Sequence, residues 1–424
     1  MAKVFVKSFG CSANISDGEI MKGLLSKAFD IAEDKKSADV IITNICTVKG
    51  DTASLRELRK SREEFPHKKM IIAGCITKEI IPKIREFIPD ASFISTHNID
   101  DITQVVEESL NDNPVTEVAK KDCRKVLLPR VRKNKTIGIV QISTGCLNKC
   151  SYCSTRLIKG SLKSFSPDDI VKDVKNLVDD GCNEIWLTGQ DTACYGLDIK
   201  TDIASLLKRV CEVKGEFFVR LGMGNPQFFK KVLDKLIPEF KHEKMFKFLH
   251  IPVQSGNDDI LRAMKRGYSV KEFEQIIAEF RKNIPNITIS TDIIAGFPGE
   301  SEEQFEDNVR LIKGIRPEVL NISRFVPREG TEAFLMKDQI SGEVKKERSR
   351  KLTLLHEWIA LENNKRWKGW KGKVLIDEHG KEESSIGRNF AYKPVVIKKA
   401  LPIGNVYKVR IISTTPHYLV GELV

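Results

Sequence analysis

The chain has 424 residues, 41% of them hydrophobic and 30% charged, which excludes a mainly disordered or collagen-like protein. At about 150 residues per domain that length predicts two to three domains, each able to bury its own core. Lys and Arg number 70 against 58 Asp and Glu, a net charge of +12, which favours an anionic partner, nucleic acid first among them.

The first hundred residues alternate strand and helix. Residues 3–9 form a short apolar-rich strand. Ser16, with Glu19 three residues on, reads as the N-cap and capping box of a helix. Residues 39–45 (DVIITNI) have a buried-strand pattern, 51–64 are helical and charged, 69–73 (KMIIA) form a third strand and 91–95 a fourth. This alternation predicts a doubly wound parallel α/β domain over residues 1–110. Residues 111–135 break the rhythm with Pro114, Pro129 and a run of basic residues, and read as a linker.

From Thr136 the alternation resumes. Strand-like runs are IGIVQIS, EIWLTG, FFVRLG, FKFLHIPV, ITISTDIIAG and VLNISRFV, with helical stretches between them. Six units are too few for a closed eight-stranded barrel and predict a central partial (β/α)6 barrel over residues 136–340. Residues 341–363 form a connecting helix. Short β runs with turn signals then predict a small all-β, OB-like barrel over 364–424. This last stretch holds 12 Lys/Arg and 5 Asp/Glu. No apolar run reaches the roughly 18 residues of a membrane span, and the Met1-Ala2-Lys3-Val4 start is not that of a signal peptide. A cytoplasmic protein without a membrane partner is expected.

Ten cysteines in such a chain point to metal or redox chemistry rather than to a disulfide framework. Cys146, Cys150 and Cys153 share one loop with C-x3-C-x2-C spacing, after the first barrel strand. Barrel active sites lie at the C-terminal ends of strands. Three thiolates there can hold three irons of a 4Fe–4S cluster and leave the fourth open. A zinc site is the competing reading, although structural zinc usually pairs two C-x2-C hooks. Cys11, Cys46 and Cys75 end the first three strands of the N-terminal domain. Strand ends of an open parallel sheet converge on its ligand crevice, so these thiols can form a second three-cysteine site; plain buried cysteines are the alternative. Cys123, Cys182, Cys194 and Cys211 have no ligand spacing and read as structural. His250 reads as a satisfied core histidine.

The C-x3-C-x2-C loop with Tyr152 before its last cysteine, opening a run of β/α units, resembles the radical S-adenosylmethionine superfamily. Gly189-Gln190-Asp191, Arg220, Gln254 and Ser255, and the Gly296–Glu300 turn stand at successive strand ends. The resemblance makes Tyr152, Gly189, Gln190, Arg220, Gln254 and Ser255 contacts to S-adenosylmethionine. Gly-Cys-x2-Asn, Asn-x-Cys and Gly-Cys at N-terminal strand ends, followed by such a barrel and a basic β module, resemble the methylthiotransferase family over essentially the whole chain. That resemblance implies two 4Fe–4S clusters, the auxiliary one on Cys11, Cys46 and Cys75, and a final RNA-binding TRAM domain.

Phrases such as Thr144-Gly145-Cys146-Leu147-Asn148 and Arg220-Leu221-Gly222-Met223-x-Asn225-Pro226 are most similar to the archaeal and eukaryotic branch. This implies conversion of N6-threonylcarbamoyladenosine, next to the tRNA anticodon at position 37, to its 2-methylthio derivative. Lys159-Gly160 stands where many members carry Arg-Gly, a departure that bears on cofactor or substrate contact. The C-terminal stretch Lys365, Trp367, Lys368, Trp370 and Lys371 interleaves cations and indoles, which suits phosphate attraction and base stacking; core tryptophans at a helix end with solvated lysines are the alternative. Arg328 is a further candidate phosphate contact. The expected partners are the tRNA anticodon loop, a flavodoxin- or ferredoxin-type electron donor and a sulfur donor, with the protein a monomer. The competing readings are methylthiolation of N6-isopentenyladenosine or of a ribosomal protein aspartate, and a non-catalytic iron–sulfur RNA-binding protein.

Overall fold

The computed structural model describes residues 1–46 and 52–424. They divide into two compact units. The first comprises Met1–Lys133, Ile139–Leu147 and Cys153–Asp173, the second Asn134–Gly138, Asn148–Tyr152 and Val174–Val424.

The first unit is built on a parallel sheet. Its elements run β1 (Lys3–Ser8), α1 (Ser12–Leu25), β2 (Asp30–Ile31), β3 (Val40–Cys46), α2 (Thr52–Glu64), β4 (Lys69–Cys75), α3 (Ile80–Arg85), β5 (Ser92–Ser95), α4 (Ile102–Leu110) and β6 (Thr116–Glu117). The strand order is β2-β1-β3-β4-β5-β6, with every pairing parallel. All seven residues of β3 are buried, because helices cover both faces of such a sheet. Its side chains alternate: Val40 and Ile42 join one core with Val4, Ile20 and Ile71, while Ile41 and Ile45 join the other with Leu58, Ile72 and Phe93. The expected start of α2 at Asp51 lies outside the described residues.

One expectation is corrected here. The N-cap of α1 is Cys11, not Ser16. Ten of the fourteen α1 residues are buried, polar ones included, and Ser16 lies inside the helix with its hydroxyl donating to the Ile139 carbonyl at 3.4 Å. The helix starts early because the chain turns at Gly10, whose φ is +106°. Within residues 111–135, β6 extends the sheet, and Cys123, Lys125 and Val126 are buried. Lys125, in its basic run, is an interior ion-pair partner.

β7 (Ile137–Gln141) is followed by a short antiparallel ribbon of β8 (Ser143–Thr144) and β9 (Lys163–Ser164), with α5 (Thr155–Lys159) between them. The chain continues through α6 (Pro167–Asp179), β10 (Glu184–Thr188), α7 (Ile203–Cys211), β11 (Phe218–Leu221), α8 (Pro226–Lys241), β12 (Phe248–His250), α9 (Asp258–Ala263), α10 (Val270–Asn283), β13 (Thr288–Ala295), α11 (Glu302–Ile315) and β14 (Val319–Arg324), with the second unit taking over at Val174. All six expected strands are present. Thr136, leading into β7, accepts the amides of Asn183 and Glu184 at 3.0 Å. β10 pairs with β11, and β12 with β13 with β14, all parallel. Side-chain caps start the helices: Asn225 for α8 and full capping boxes, Ser269/Glu272 and Ser301/Gln304, for α10 and α11.

After α12 (Glu332–Leu335), the long α13 (Gly342–Lys365) begins at the Ser341 cap. β15 (Lys371–His379), β16 (Ser385–Arg388), β17 (Pro394–Ile397), β18 (Val406–Thr414) and β19 (Leu419–Leu423) then close into a barrel. Closure removes the free edges of the short strands. Val374, Ile376, Val395, Val409 and Leu419 fill its core, together with Trp367.

Candidate functional site

In the first unit the ends of β1, β3 and β4 bring Cys11, Cys46 and Cys75 together. Cys46 and Cys75 are direct register partners. Glycines make the approach possible: a Cβ on Gly10 would stand 2.5 Å from the Cys46 Cβ, and Gly74, at φ +102°, would run into Asn44 and the Ile45 carbonyl. Asn14 ties the three turns together. Its Nδ2 donates to the carbonyls of Phe9, Ile45 and Asn44 at 2.6, 3.2 and 3.3 Å, and its Oδ1 lies 3.9 Å from the Cys75 sulfur. Asn44 reciprocates by donating to the Asn14 carbonyl at 2.7 Å.

The thiols form a hydrogen-bonded relay. Donation to Cys46, followed by burial, raises the Cys11 pKa far above the usual thiol range. Donation from Cys46 holds Cys75 down to about 7, with Lys159 also lowering it against burial. Lys159 is 3% exposed, and its amine has no hydrogen-bond partner. Burial works against its charge, but Cys75, Asp17, Cys11 and Cys46 outweigh it and raise the Lys159 pKa. Asp17 is itself interior. Burial opposes its charge, yet Lys125 and Lys159 keep its pKa below the usual carboxylate range. It is held by Lys125 at 2.7 and 2.8 Å, Gln141 at 2.7 Å and Thr96 at 2.7 Å.

This donor set fits an iron–sulfur cluster. Three thiols converge beside a buried ammonium without a protein partner, and thiolate-ligated clusters are anionic groups tuned by neighbouring charge and hydrogen bonds. Among the described residues no three His, Cys, Asp or Glu side chains close on one ion. Thiolates that each bind a different iron do not need to.

The second cysteine set lies on one loop, and neighbouring groups fix its parts. In the first unit, the Cys146 amide donates to the Gly160 carbonyl at 3.2 Å. Gly145 has φ +68°, and a Cβ there would overlap the Ser161 carbonyl. Cys153 sulfur lies 3.1 Å from the Thr155 hydroxyl. In the second unit, the Ser151 hydroxyl donates to the Ala263 carbonyl at 2.7 Å, and Tyr152 packs against a cluster containing Met264, Phe297 and Phe325. The Arg266 guanidinium donates to the Cys150 sulfur at 3.5 Å and is itself fixed by Tyr268 at 2.9 Å and the Pro252 carbonyl at 3.1 Å. Burial disfavours its charge, but the facing Tyr268, Tyr152 and Cys150 groups hold its pKa well above the ordinary value. A fixed cation on Cys150 favours the thiolate that iron requires.

Of the other candidates, Gly189 and Gln190 lie half-buried just past β10. Asp191 accepts the Asn225 and Ala193 amides at 2.9 and 3.1 Å and the Asn148 side chain at 2.8 Å. Arg220 stands over three rings, Trp186, Phe248 and Tyr392, at 4.9 to 5.2 Å. Gln254 has φ +74° and exchanges backbone hydrogen bonds with Asp292 and Ile294 at 2.8 and 3.0 Å. Ser255 is fully buried and accepts the Asn257 amide at 3.2 Å. His250 is paired with Asp292 at 3.0 Å. Cys194 donates to the Asp191 carbonyl at 3.2 Å.

Trp367 follows the core reading of the C-terminal stretch. It is 3% exposed and belongs to the barrel core, so its ring faces are covered by protein and unavailable to a base. It packs edge-on against Trp370 at 5.6 Å. Trp370 is half-buried and, with Phe218, Phe390, Lys373 and Arg388, lines a cavity of about 340 Å³. Lys365, Lys368 and Lys371 are exposed, and Arg328 is half-buried. Sequence reasoning missed Arg266 and the interior Asp17–Lys125 pair, and it held Asn14 only as the last residue of the Gly-Cys-x2-Asn motif, without a role. Arg266-Gly267-Tyr268 was the available signal for the first, a cation beside a turn after the fourth barrel strand.

Three family models match successive parts of the chain. The Radical SAM superfamily model matches residues 140–312, the Uncharacterized protein family UPF0004 residues 3–95 and the TRAM domain residues 368–424. A protein of Pyrococcus abyssi named probable threonylcarbamoyladenosine tRNA methylthiotransferase is 42% identical over 431 residues, covering 100% of both chains. The threonylcarbamoyladenosine tRNA methylthiotransferase of Danio rerio is 37% identical, over 100% of this chain and 78% of that one. Among solved structures, the radical S-adenosylmethionine methyltransferase TsrM from Kitasatospora setae superposes with a TM-score of 0.55 at 11% identity, covering 76% of this chain and 75% of that one. At that identity the likeness is one of fold.

Proposed function

The chain belongs to the threonylcarbamoyladenosine tRNA methylthiotransferase family, and we propose that it converts N6-threonylcarbamoyladenosine at tRNA position 37 to the 2-methylthio derivative. The observation that carries this is the convergence of Cys11, Cys46 and Cys75 beside the buried Lys159 amine, in a chain that also bears the Cys146–Cys150–Cys153 loop. Such a pair of thiolate sites suits two 4Fe–4S clusters, which with S-adenosylmethionine supply one-electron radical chemistry and sulfur donation. A radical is needed because carbon 2 of adenine has no leaving group for polar substitution.

We assign the auxiliary cluster to residues 1–110, with 111–135 joining it to the radical barrel over 136–340. A connecting helix over 341–363 leads to RNA capture over 364–424. Cys146, Cys150 and Cys153 hold the radical cluster, with Arg266 fixing the thiolate of Cys150. Tyr152, Gly189, Gln190, Arg220, Gln254 and Ser255 remain the candidates for S-adenosylmethionine contact. The exposed Lys365, Lys368 and Lys371, with Arg328, attract phosphate, and an unstacked anticodon-loop base is the accessible target. The reaction also needs a low-potential electron donor of flavodoxin or ferredoxin type and a sulfur donor. We place the protein in the cytoplasm as a monomer.

Mass spectrometry of tRNA nucleosides from cells with and without the gene tests this directly. The expected result is loss of the 2-methylthio mark from threonylcarbamoyladenosine alone; loss from isopentenyladenosine instead would refute the substrate. Reconstituted protein should carry about eight irons per chain, and Cys11→Ala should remove about half of them.

A further inference from the structure

The first unit holds a cavity of about 260 Å³ that shares Lys159 with the three-cysteine site. Five lysines line it, Lys120, Lys121, Lys125, Lys159 and Lys163, against one carboxylate, Asp122. Three of these cations are already engaged. Lys121 pairs with Asp100 and Asp101 at 3.0 and 2.5 Å, Lys125 with Asp17 at 2.7 Å, and Lys163 with Asp122 at 2.6 Å. Lys159 is not: it is 97% buried, lines the cavity, and its amine has no hydrogen-bond partner.

An ammonium carries three donors. The thiols and Asp17 favour the charge of Lys159, but no protein acceptor meets those donors, and a ligand that accepts them, best an anion, completes the site. Size narrows the choice. The cavity has room for about nine waters at their liquid volume, more than a single sulfide ion fills and enough for a group the size of an amino acid. Thr96 and Ser161 add hydroxyls to its wall.

We propose that this cavity binds the carboxylate of the threonylcarbamoyl group on the substrate adenosine, with Lys159 as its buried anchor and Lys120 at its rim. The inference rests on the function proposed above. Carbon 2 and the carbon that bears N6 flank the same ring nitrogen of adenine. A base that offers carbon 2 to a sulfur-donating site therefore places its N6 substituent beside that site. A carboxylate there forms charge-assisted hydrogen bonds with lysine, and the threonyl hydroxyl and carbamoyl groups meet the hydroxyl-lined wall. Lys159 thus acts as a specificity determinant that separates this substrate from adenosines whose N6 group is apolar.

The test uses full-length protein with both clusters reconstituted under anaerobic conditions. Binding is measured to three anticodon stem-loops, which carry the threonylcarbamoyl acid, its methyl ester or unmodified adenosine. The wild type should bind the acid about tenfold tighter than the ester, as expected for one charge-assisted contact. Lys159→Gln and Lys120→Ala should each reduce that preference, with iron content checked in both. Lys120 is outside the cysteine site, so its variant stays informative if Lys159→Gln loses iron. Equal weakening of all three RNAs would mean a backbone phosphate contact and would overturn the proposal. An altered sulfide requirement with the acid preference intact would also overturn it, as would a wild type that does not distinguish acid from ester. If the wild type, given S-adenosylmethionine, reductant and sulfide, forms no 2-methylthio product on the acid RNA, the proposed function itself fails. Product formation without acid preference overturns only the carboxylate site.

Discussion

Replacing Asn14 by alanine removes the clamp on three turns while leaving every cysteine in place. Asn14 is fully buried, and its amide donates to carbonyls of Phe9, Ile45 and Asn44. The Asn44 carbonyl keeps the Phe9 amide at 2.9 Å as a second partner. The carbonyls of Phe9 and Ile45 lose this donor. At about 1–3 kcal/mol for each buried group left unsatisfied, and with water relieving part of the loss, the first unit should be destabilised by about 3 kcal/mol. For a unit of roughly 160 residues that is a fall of about 6–12 °C in its melting transition. Because the same amide holds the cysteine-bearing turns, iron content should fall by about half. Asn14→Asp separates the two effects. It keeps the size of the side chain but places a carboxylate beside the Cys75 sulfur, where it opposes thiolate formation, so iron should be lost at least as completely. The assays are a melting curve and iron per chain on anaerobically reconstituted protein. An Asn14→Ala variant with full iron and a melting temperature within about 2 °C of wild type would show that the turns hold themselves and that the reasoning is wrong.

Further outcomes follow from other contacts. Arg266→Gln should retain the iron of the radical site but shift its potential negative by on the order of 50 mV, because a cation that favours the reduced, more anionic cluster is lost; an unchanged potential would exclude an electrostatic role. Glu184 is driven up to about 7, first by burial and then by Asp377. Its folded pKa lies above its unfolded value, so its ionisation makes stability fall as pH rises from about 4.5 to about 7. Glu184→Gln should flatten that slope and be relatively more stable at pH 8, by on the order of 2 kcal/mol, in urea unfolding followed across pH. Trp367→Ala should destabilise the C-terminal barrel by about 3–5 kcal/mol. Lys368→Ala should leave its melting unchanged and lower the salt slope of tRNA binding by about one.

Much of the architecture was legible because it depends on local period. The unbroken apolar run of β3 signals a strand covered on both faces, and its cysteine falls at the strand end where a parallel sheet places its ligands. The capping boxes at Ser269 and Ser301 are local patterns of the same kind, although the sequence reading did not single them out. The failures share one cause: the residue type was read correctly but its burial was not. Ser16 and Glu19 look like a capping box, yet they sit inside a helix enclosed on most sides. Lys125 looks like one more member of a basic run, yet it neutralises Asp17 in the interior. Periodicity gives no warning of these, because an ion pair separated by 108 residues leaves no local trace.

The same distinction governs what the excess positive charge does. A net +12 describes the chain as a whole, and its members act in different media. Lys368 and Lys371 are exposed, and in water their attraction for phosphate is long-ranged, weak per contact and screened by salt. Lys159 is enclosed, and there the same unit charge is little screened and acts on its immediate neighbours. Removing a surface lysine should therefore change how tightly any RNA is held. Removing the buried one should change which nucleoside is accepted and how firmly the neighbouring thiolates hold iron. Trp367 follows the same logic on the apolar side: an indole stabilises a barrel from the inside or stacks on a base from the outside, and its position inside the core assigns it to the first task.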